Sequence, residues 1–122
     1  MANDFKRFTV SSVNTSVGAS ASAVYTVPAG AGSTALESIV IGITLANKTS
    51  TGVVASVFLD NFSGSNDVFI VKDATIPAGS SLEVMSGNKI VLQNNGTTGD
   101  VLRVSSSTAT AIDTTISVLE DV

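Results

Sequence analysis

The chain has 122 residues, the length of a single domain, with a net charge of −4 and a pI of about 4.4. It contains no cysteine and no histidine, which excludes disulfides, catalysis by a thiolate or a histidine base, and zinc sites built from the usual ligands. The acidic balance offers no basic patch that could follow a phosphate backbone, so we expect no nucleic-acid partner.

The composition favours β-structure. Hydrophobic residues make up 43% of the chain, but aromatic residues only 5% and charged residues 13%. Val, Ile and Thr suit a pleated, half-buried surface, and the Glu, Lys and Arg that line the wet faces of helices are few. No run approaches the ~20 apolar residues of a membrane span, so we expect no membrane association. The polar start at residues 1–8 predicts no signal peptide and therefore synthesis in a cytoplasm.

Alternating apolar residues and turn signals predict about nine short strands and no helix beyond a single turn. Pro28 and Pro77, each followed by Ala-Gly, are predicted stops because proline cannot donate to a strand ladder. Residues 14–22 form a low-complexity stretch of small residues, for which we predict a loop or an extended arm. The predicted strands are 6–13, 23–27, 35–46, 53–60, 67–72, 81–85, 89–92, 100–106 and 111–119.

For three of these strands the residue pattern predicts which faces are buried. Strand 35–46 alternates strictly, which predicts that Ile39, Ile41, Ile43 and Leu45 share the core face. Strand 53–60 is apolar on both faces, so we expect it to be covered on both sides, by its own domain or by a partner. In the last strand, the predicted shared face consists of Ile112, Thr114, Ile116 and Val118.

Together these elements predict an all-β fold, a two-sheet antiparallel β-sandwich of jelly-roll or immunoglobulin-like kind. We divide the chain into residues 1–22, an N-terminal strand followed by a flexible arm of small residues, and residues 23–122, the sandwich domain. Tyr25 lies where a core residue is expected.

The chain offers little catalytic chemistry. Its carboxylates form no recognisable pair for glycoside hydrolysis, and we interpret them as solvated charges. Segment 60–67 has enough oxygens to suggest calcium, but Phe62 stands at a ligand position and no glutamate closes the loop, which favours a plain hairpin turn. We therefore predict no catalytic residue, no cofactor and no metal site, and no enzymatic activity. The carboxylates considered are Asp60, Asp67, Asp73, Glu37, Glu83, Asp100 and Asp113.

A basic pair flanked by aromatic residues is the candidate contact segment. Phe5, Lys6, Arg7 and Phe8 follow one another near the start of the chain. One interpretation is a soluble first strand whose Phe8 enters the core. The other is an N-terminal anchor that lays aromatic surface on a neighbouring acidic subunit.

Most of the chain from about Val24 carries a pattern of strands and turns made of Tyr25–Gly30, Leu36–Asn47, Ile76–Leu82, Gly87–Leu92, Asp100–Ser106 and Ala111–Glu120. In this pattern the chain resembles a family of small β-sandwich virion proteins of tailed bacteriophages. The resemblance implies a structural role on the virion, as a capsid decoration or cement protein or at the neck, tail or fibres, and it supplies no catalytic residues.

The first functional hypothesis is a capsid decoration protein that binds the major capsid protein as a homo-oligomer, with a trimer favoured, and that resides in the virion. The alternative is a neck, tail or fibre component that binds a receptor or a glycan. The absence of tryptophan and the single tyrosine count against that alternative, because glycan sites usually display exposed aromatic rings. A cellular β-domain, such as a surface or pilus module, is a third hypothesis.

Overall fold

The computed structural model describes residues 3–61, 67–85 and 89–121. These residues form an all-β fold of two antiparallel sheets, which confirms the predicted β-sandwich, and one short helical turn at Gly18–Ser20. The strands are β1 (Asn3–Val10), β2 (Ser22–Thr26), β3 (Leu36–Asn47), β4 (Val53–Asp60), β5 (Asp67–Ile76), β6 (Ser81–Glu83), β7 (Ile90–Asn94), β8 (Val101–Ser106) and β9 (Ile112–Asp121).

Sheet A has the order β1-β9-β3, and the free side of β3 is shared by two short strands. β7 pairs with Leu36–Val40, and β6 pairs with Thr44–Ala46. Sheet B has the order β2-β8-β4-β5.

The strand pairings distinguish between the two predicted topologies. β1 pairs with β9, β2 with β8, β3 with β6 and β7, and β4 with β5. These pairings are nested, as in a long hairpin that is rolled up so that its halves form two facing sheets. This is the arrangement of a jelly roll. An immunoglobulin-like fold would instead place its strands as ABED and CFG.

The interior between the sheets is aliphatic. Ile112, Ile116 and Val118 of β9 are fully buried, and Thr114 is 1% exposed, as the alternation of this strand predicts. The buried cluster consists of Val13, Val24, Tyr25, Val27, Leu36, Val40, Ile43, Leu45, Val53, Ala55, Val57, Ile76, Met85, Leu92, Leu102, Val104, Ala111, Ile112, Ile116 and Val118.

The longest strand, β3, breaks the alternation from which its orientation was predicted. Its register against β9 shifts around Ile41, which is one extra residue and therefore a β-bulge. A shift of one residue reverses which side chains face the core. Ile43 and Leu45 are fully buried, but Ile41 is 40% exposed. Ile39 lies between two buried neighbours and faces outward. The prediction that Ile39 and Ile41 share the core face is therefore wrong.

Strand β4 is covered on both sides by its own domain, one of the two outcomes expected for it. Val53, Ala55 and Val57 belong to the core between the sheets. Phe58 faces the outer side of sheet B, yet it is only 2% exposed because Phe69 of the neighbouring β5 packs against it.

The N-terminal segment is part of the sandwich. β1 pairs with β9 along all eight of its residues, so it is the edge strand of sheet A, although residues 1–22 were predicted to stand outside the domain. The small-residue loop that follows is tied back: the Asn14 backbone N–H donates to Ser22 Oγ at 3.0 Å, and its side-chain amide donates to the Ser20 carbonyl at 3.1 Å. Ala21, at the end of this loop, is buried.

Candidate functional site

The four candidate contact residues of β1 point in two directions. Successive side chains of a strand face opposite sides of the sheet. Phe8 faces inward and packs against Tyr25, with ring centroids 4.6 Å apart. Lys6 is on the same side, and its Nζ lies 3.0 Å from Oε1 of Glu120. Phe5 and Arg7 face outward and are exposed, Phe5 to 76%. Phe5 and Arg7 are therefore the two members of the set that lie on the outer face of sheet A, while the partly exposed Lys6 is engaged by Glu120.

Lys6 caps a buried polar cluster at one end of the sandwich. Glu120 is 2% exposed and accepts a hydrogen bond from the hydroxyl of Tyr25, which also lies 2.7 Å from Ser38 Oγ. The hydrogen bond with Glu120 raises the pKa of Lys6 above its usual 10.5. Burial, together with the same carboxylate, raises the pKa of Tyr25 above its usual 10.0. These groups stabilise one another, so we assign the cluster a structural role.

The outer face of sheet A carries four apolar side chains in one line across the strands. The register pairs Phe5 with Leu119, Leu119 with Ile39, and Ile39 with Val91. Because neighbouring strands lie about 4.8 Å apart, the line crosses four strands over about 14 Å. We call it the apolar row; its members are Phe5, Leu119, Ile39 and Val91.

The bulge in β3 extends this surface. Ile41 lies beside the row and is 40% exposed, and Val91 within the row is 54% exposed. Arg7 borders the row on one side and Glu37 on the other, and both are exposed. Single exposed apolar residues are common on protein surfaces, whereas a contiguous set mostly marks a contact site. The apolar row is therefore the candidate contact surface.

A groove on the outer face of sheet B is the second candidate site. It encloses about 470 Å³ between the sheet and the loop after β1, which contributes Val17 and Gly18 to one wall. β5 forms the opposite wall with Phe69, whose ring centroid lies 5.3 Å from that of Phe58 in the floor. This volume falls in the usual range of small-molecule sites.

Polar groups also line the groove. Ser56 of β4 and Ser105 of β8 are directly opposite in register, and both line it. On β5, Lys72 Nζ lies 5.4 Å from the centroid of the Phe69 ring. Next to it, Asp73 donates its backbone N–H to Ser56 Oγ at 2.9 Å.

Three of the carboxylates that we interpreted as solvated charges make structural contacts, and of these Asp100 is buried. Asp60 Oδ2 lies 3.0 Å from Nε of Arg103, whose guanidinium also donates to the Ala21 carbonyl. Asp113 pairs with Lys48 at 2.8 Å, and this contact lowers the pKa of the Asp113 carboxyl. Asp100 is 4% exposed and accepts the N–H of Gln93.

Residues 62–66 of the segment considered for calcium, 60–67, lie outside the described part of the chain. Within residues 3–61, 67–85 and 89–121, three or more carboxylates do not come together in a group that could hold a metal ion. The helical structure in these ranges is too short to cross a bilayer.

Sequence reasoning found Phe5 and Arg7 because they belong to the basic pair that is flanked by aromatic residues. It missed the three other members of the apolar row, which lie on three other strands and meet Phe5 only through the register. It also missed the groove, whose walls come from β5 and from the loop after β1. In comparisons with known proteins, no protein family matches the chain, and neither a curated protein nor a solved structure is similar to it.

Proposed function

We propose that this chain is a bacteriophage virion structural protein without enzymatic activity, a capsid decoration or cement protein that binds the assembled shell and stabilises it. The observation that carries the proposal is the apolar row, a contiguous hydrophobic surface that crosses four strands of sheet A. The partner is the phage major capsid protein. The protein acts in several copies, with a trimer as the favoured assembly.

The apolar row supplies the energy of the contact. Burying a Phe, Leu, Ile or Val side chain contributes roughly 1.5–3 kcal/mol, and association offsets much of this gain. One copy therefore binds weakly through so small a patch. When several copies are joined, each bound copy raises the effective concentration of the others, so modest contacts add up to stable decoration.

The test compares two valines that differ in position but not in exposure. Val91, in the apolar row, is 54% exposed, and Val68, on β5 of sheet B, is 52% exposed. We expect Val91→Ser and Phe5→Ser to weaken binding to purified shells by about tenfold or more, because each removes apolar area from the contact. Val68→Ser is the matched control and should bind like the wild type.

Binding is measured by co-sedimentation with shells over a range of protein concentrations. Equal loss in Val91→Ser and Val68→Ser, or no loss in either row variant, contradicts the assignment of this surface. Point variants are used instead of truncation because removing residues 1–13 would delete β1, which pairs with β9 along its whole length.

The alternative is a neck, tail or fibre component with a receptor- or glycan-binding role, and the groove on sheet B is the observation that favours it. Counting copies per virion separates the two functions. Hundreds of copies place the protein on the shell, whereas a handful place it at the neck, tail or fibres.

A further inference from the structure

The groove on sheet B holds a hydroxyl that the fold itself does not use. Ser105 lines the groove and is 8% exposed as a whole residue, while its Oγ is open to the groove and makes no hydrogen bond within the described ranges. An accessible hydroxyl that makes no hydrogen bond to the protein can bond to water or to a ligand. Ser105 is therefore available to a molecule that binds in the groove.

The wall of the groove that β5 forms carries the carboxylate of Asp73, whose backbone has an uncommon conformation. Asp73 has φ of +53°, a conformation that is uncommon outside glycine, and it lies where the pairing of β5 with β4 is irregular. Bulges of this kind re-aim side chains near binding sites. The N–H of Asp73 is held by Ser56 Oγ, so its carboxylate stands beside the groove floor.

The groove also has an apolar part that a ligand can cover. Phe58 is nearly fully buried in the floor, while Phe69 in the wall keeps 45% of its surface exposed. Val17 on the facing wall is 77% exposed. The ligand must therefore offer an apolar face together with hydrogen-bonding groups.

The charged residues that line the groove and the strand pairing of its floor limit the class of ligand that can bind. Asp67 and Asp73 outnumber Lys72 among the charges that line the groove, which disfavours phosphates and other anions. The floor strand β4 is paired on both sides, with β8 and β5, so an extended peptide finds no free strand edge there. A purely apolar ligand would bury Ser105 and the carboxylates without partners.

A neutral molecule with an apolar face and several hydroxyls meets all of these conditions. We infer that the groove on the outer face of sheet B binds a neutral saccharide unit. Phe69 and Val17 cover the apolar face of the sugar ring. The hydroxyl of Ser105 and the carboxylate of Asp73 form hydrogen bonds with the hydroxyls of the sugar. The inference does not depend on where the protein sits on a particle, because the groove and the apolar row lie on opposite sheets.

The experiment is an NMR titration of the ¹⁵N-labelled full chain with methyl glycosides of glucose, galactose, N-acetylglucosamine and rhamnose. We expect at least one of them to give saturable shifts at the amides of Phe69, Asp73 and Ser105. Ser105→Ala and Asp73→Asn should each weaken that binding by about five- to tenfold, the effect of one lost hydrogen bond. Asparagine also tolerates a positive φ, so the second variant keeps the backbone.

Three controls make the result decisive. Ser117→Ala removes an exposed hydroxyl on the outer face of sheet A and should leave the affinity unchanged. Inorganic phosphate and cyclohexanol test an anion and an apolar ring with a single hydroxyl. The inference is overturned if no glycoside shifts the groove amides, if either probe binds there as well as the sugars, or if Ser105→Ala binds like the wild type. A glycan array then separates free sugars from surface polysaccharides as the source of the ligand.

Discussion

Tyr25 joins the two sheets at one end of the interior. Its ring packs on Phe8, and its hydroxyl contacts Glu120 and Ser38 within the buried cluster. Removing this hydroxyl leaves the buried carboxylate with one partner fewer. We expect Tyr25→Phe to lower the free energy of unfolding at pH 7 by about 1–3 kcal/mol, measured by urea denaturation.

The same residue predicts how stability depends on alkaline pH. The pKa values of Tyr25 and Lys6 are both raised by folding. The unfolded chain therefore loses these protons first, and the stability they contribute is complete below about pH 10 and declines above it. Tyr25→Phe removes the larger-shifted group, so its free energy of unfolding should fall less steeply above pH 10. Equal slopes in both proteins would contradict this account. Since Tyr25 is the only tyrosine, tyrosinate absorbance reports its titration directly.

At the scale of elements, the bulge in β3 decides what the outer face of sheet A presents. On both sides of Ile41 the strand pairs regularly with β9, with Val40 opposite Val118 and Gly42 opposite Ser117. Deleting Ile41 would make the register continuous without moving any other pair. We expect the deletion variant to fold with a thermal midpoint near that of the wild type, and to bind shells more weakly because it loses an exposed isoleucine. Loss of folding, measured by circular dichroism, would show that the bulge is needed for the fold.

The bulge also shows which features of the fold the sequence pattern predicted and which it did not. Alternation located the strands and the buried face of β9, because local side-chain direction follows from strand geometry. It failed on β3 because the apolar Ile41 continues the alternating pattern through the bulge. The available signal was the next residue, Gly42, since an isolated glycine inside a strand pattern indicates a bulge. Local patterns also left the choice between jelly roll and immunoglobulin-like fold open. That choice depends on which distant strands pair, as β1 does with β9. The apolar row and the groove depend on the same long-range register.

At the scale of the whole molecule, the two candidate sites lie on opposite outer faces. The apolar row is on sheet A and the groove on sheet B, with the core between them. A protein bound to a shell through the row therefore leaves the groove facing away from the shell. The chain has no cysteine, so single-cysteine variants can report on each face separately.

Val91→Cys places a thiol in the apolar row, and Thr75→Cys places one on the outer face of sheet B, opposite Val54 of β4. We expect maleimide to label both variants equally in solution, because both positions are exposed. On shells, labelling of Cys at position 91 should drop at least several-fold while labelling at position 75 persists. Because both thiols sit on strands of the same rigid sandwich, general crowding on the particle would slow both reactions alike. Equal protection at the two positions would therefore contradict the orientation derived from the fold, whereas protection of position 75 alone would assign shell binding to sheet B.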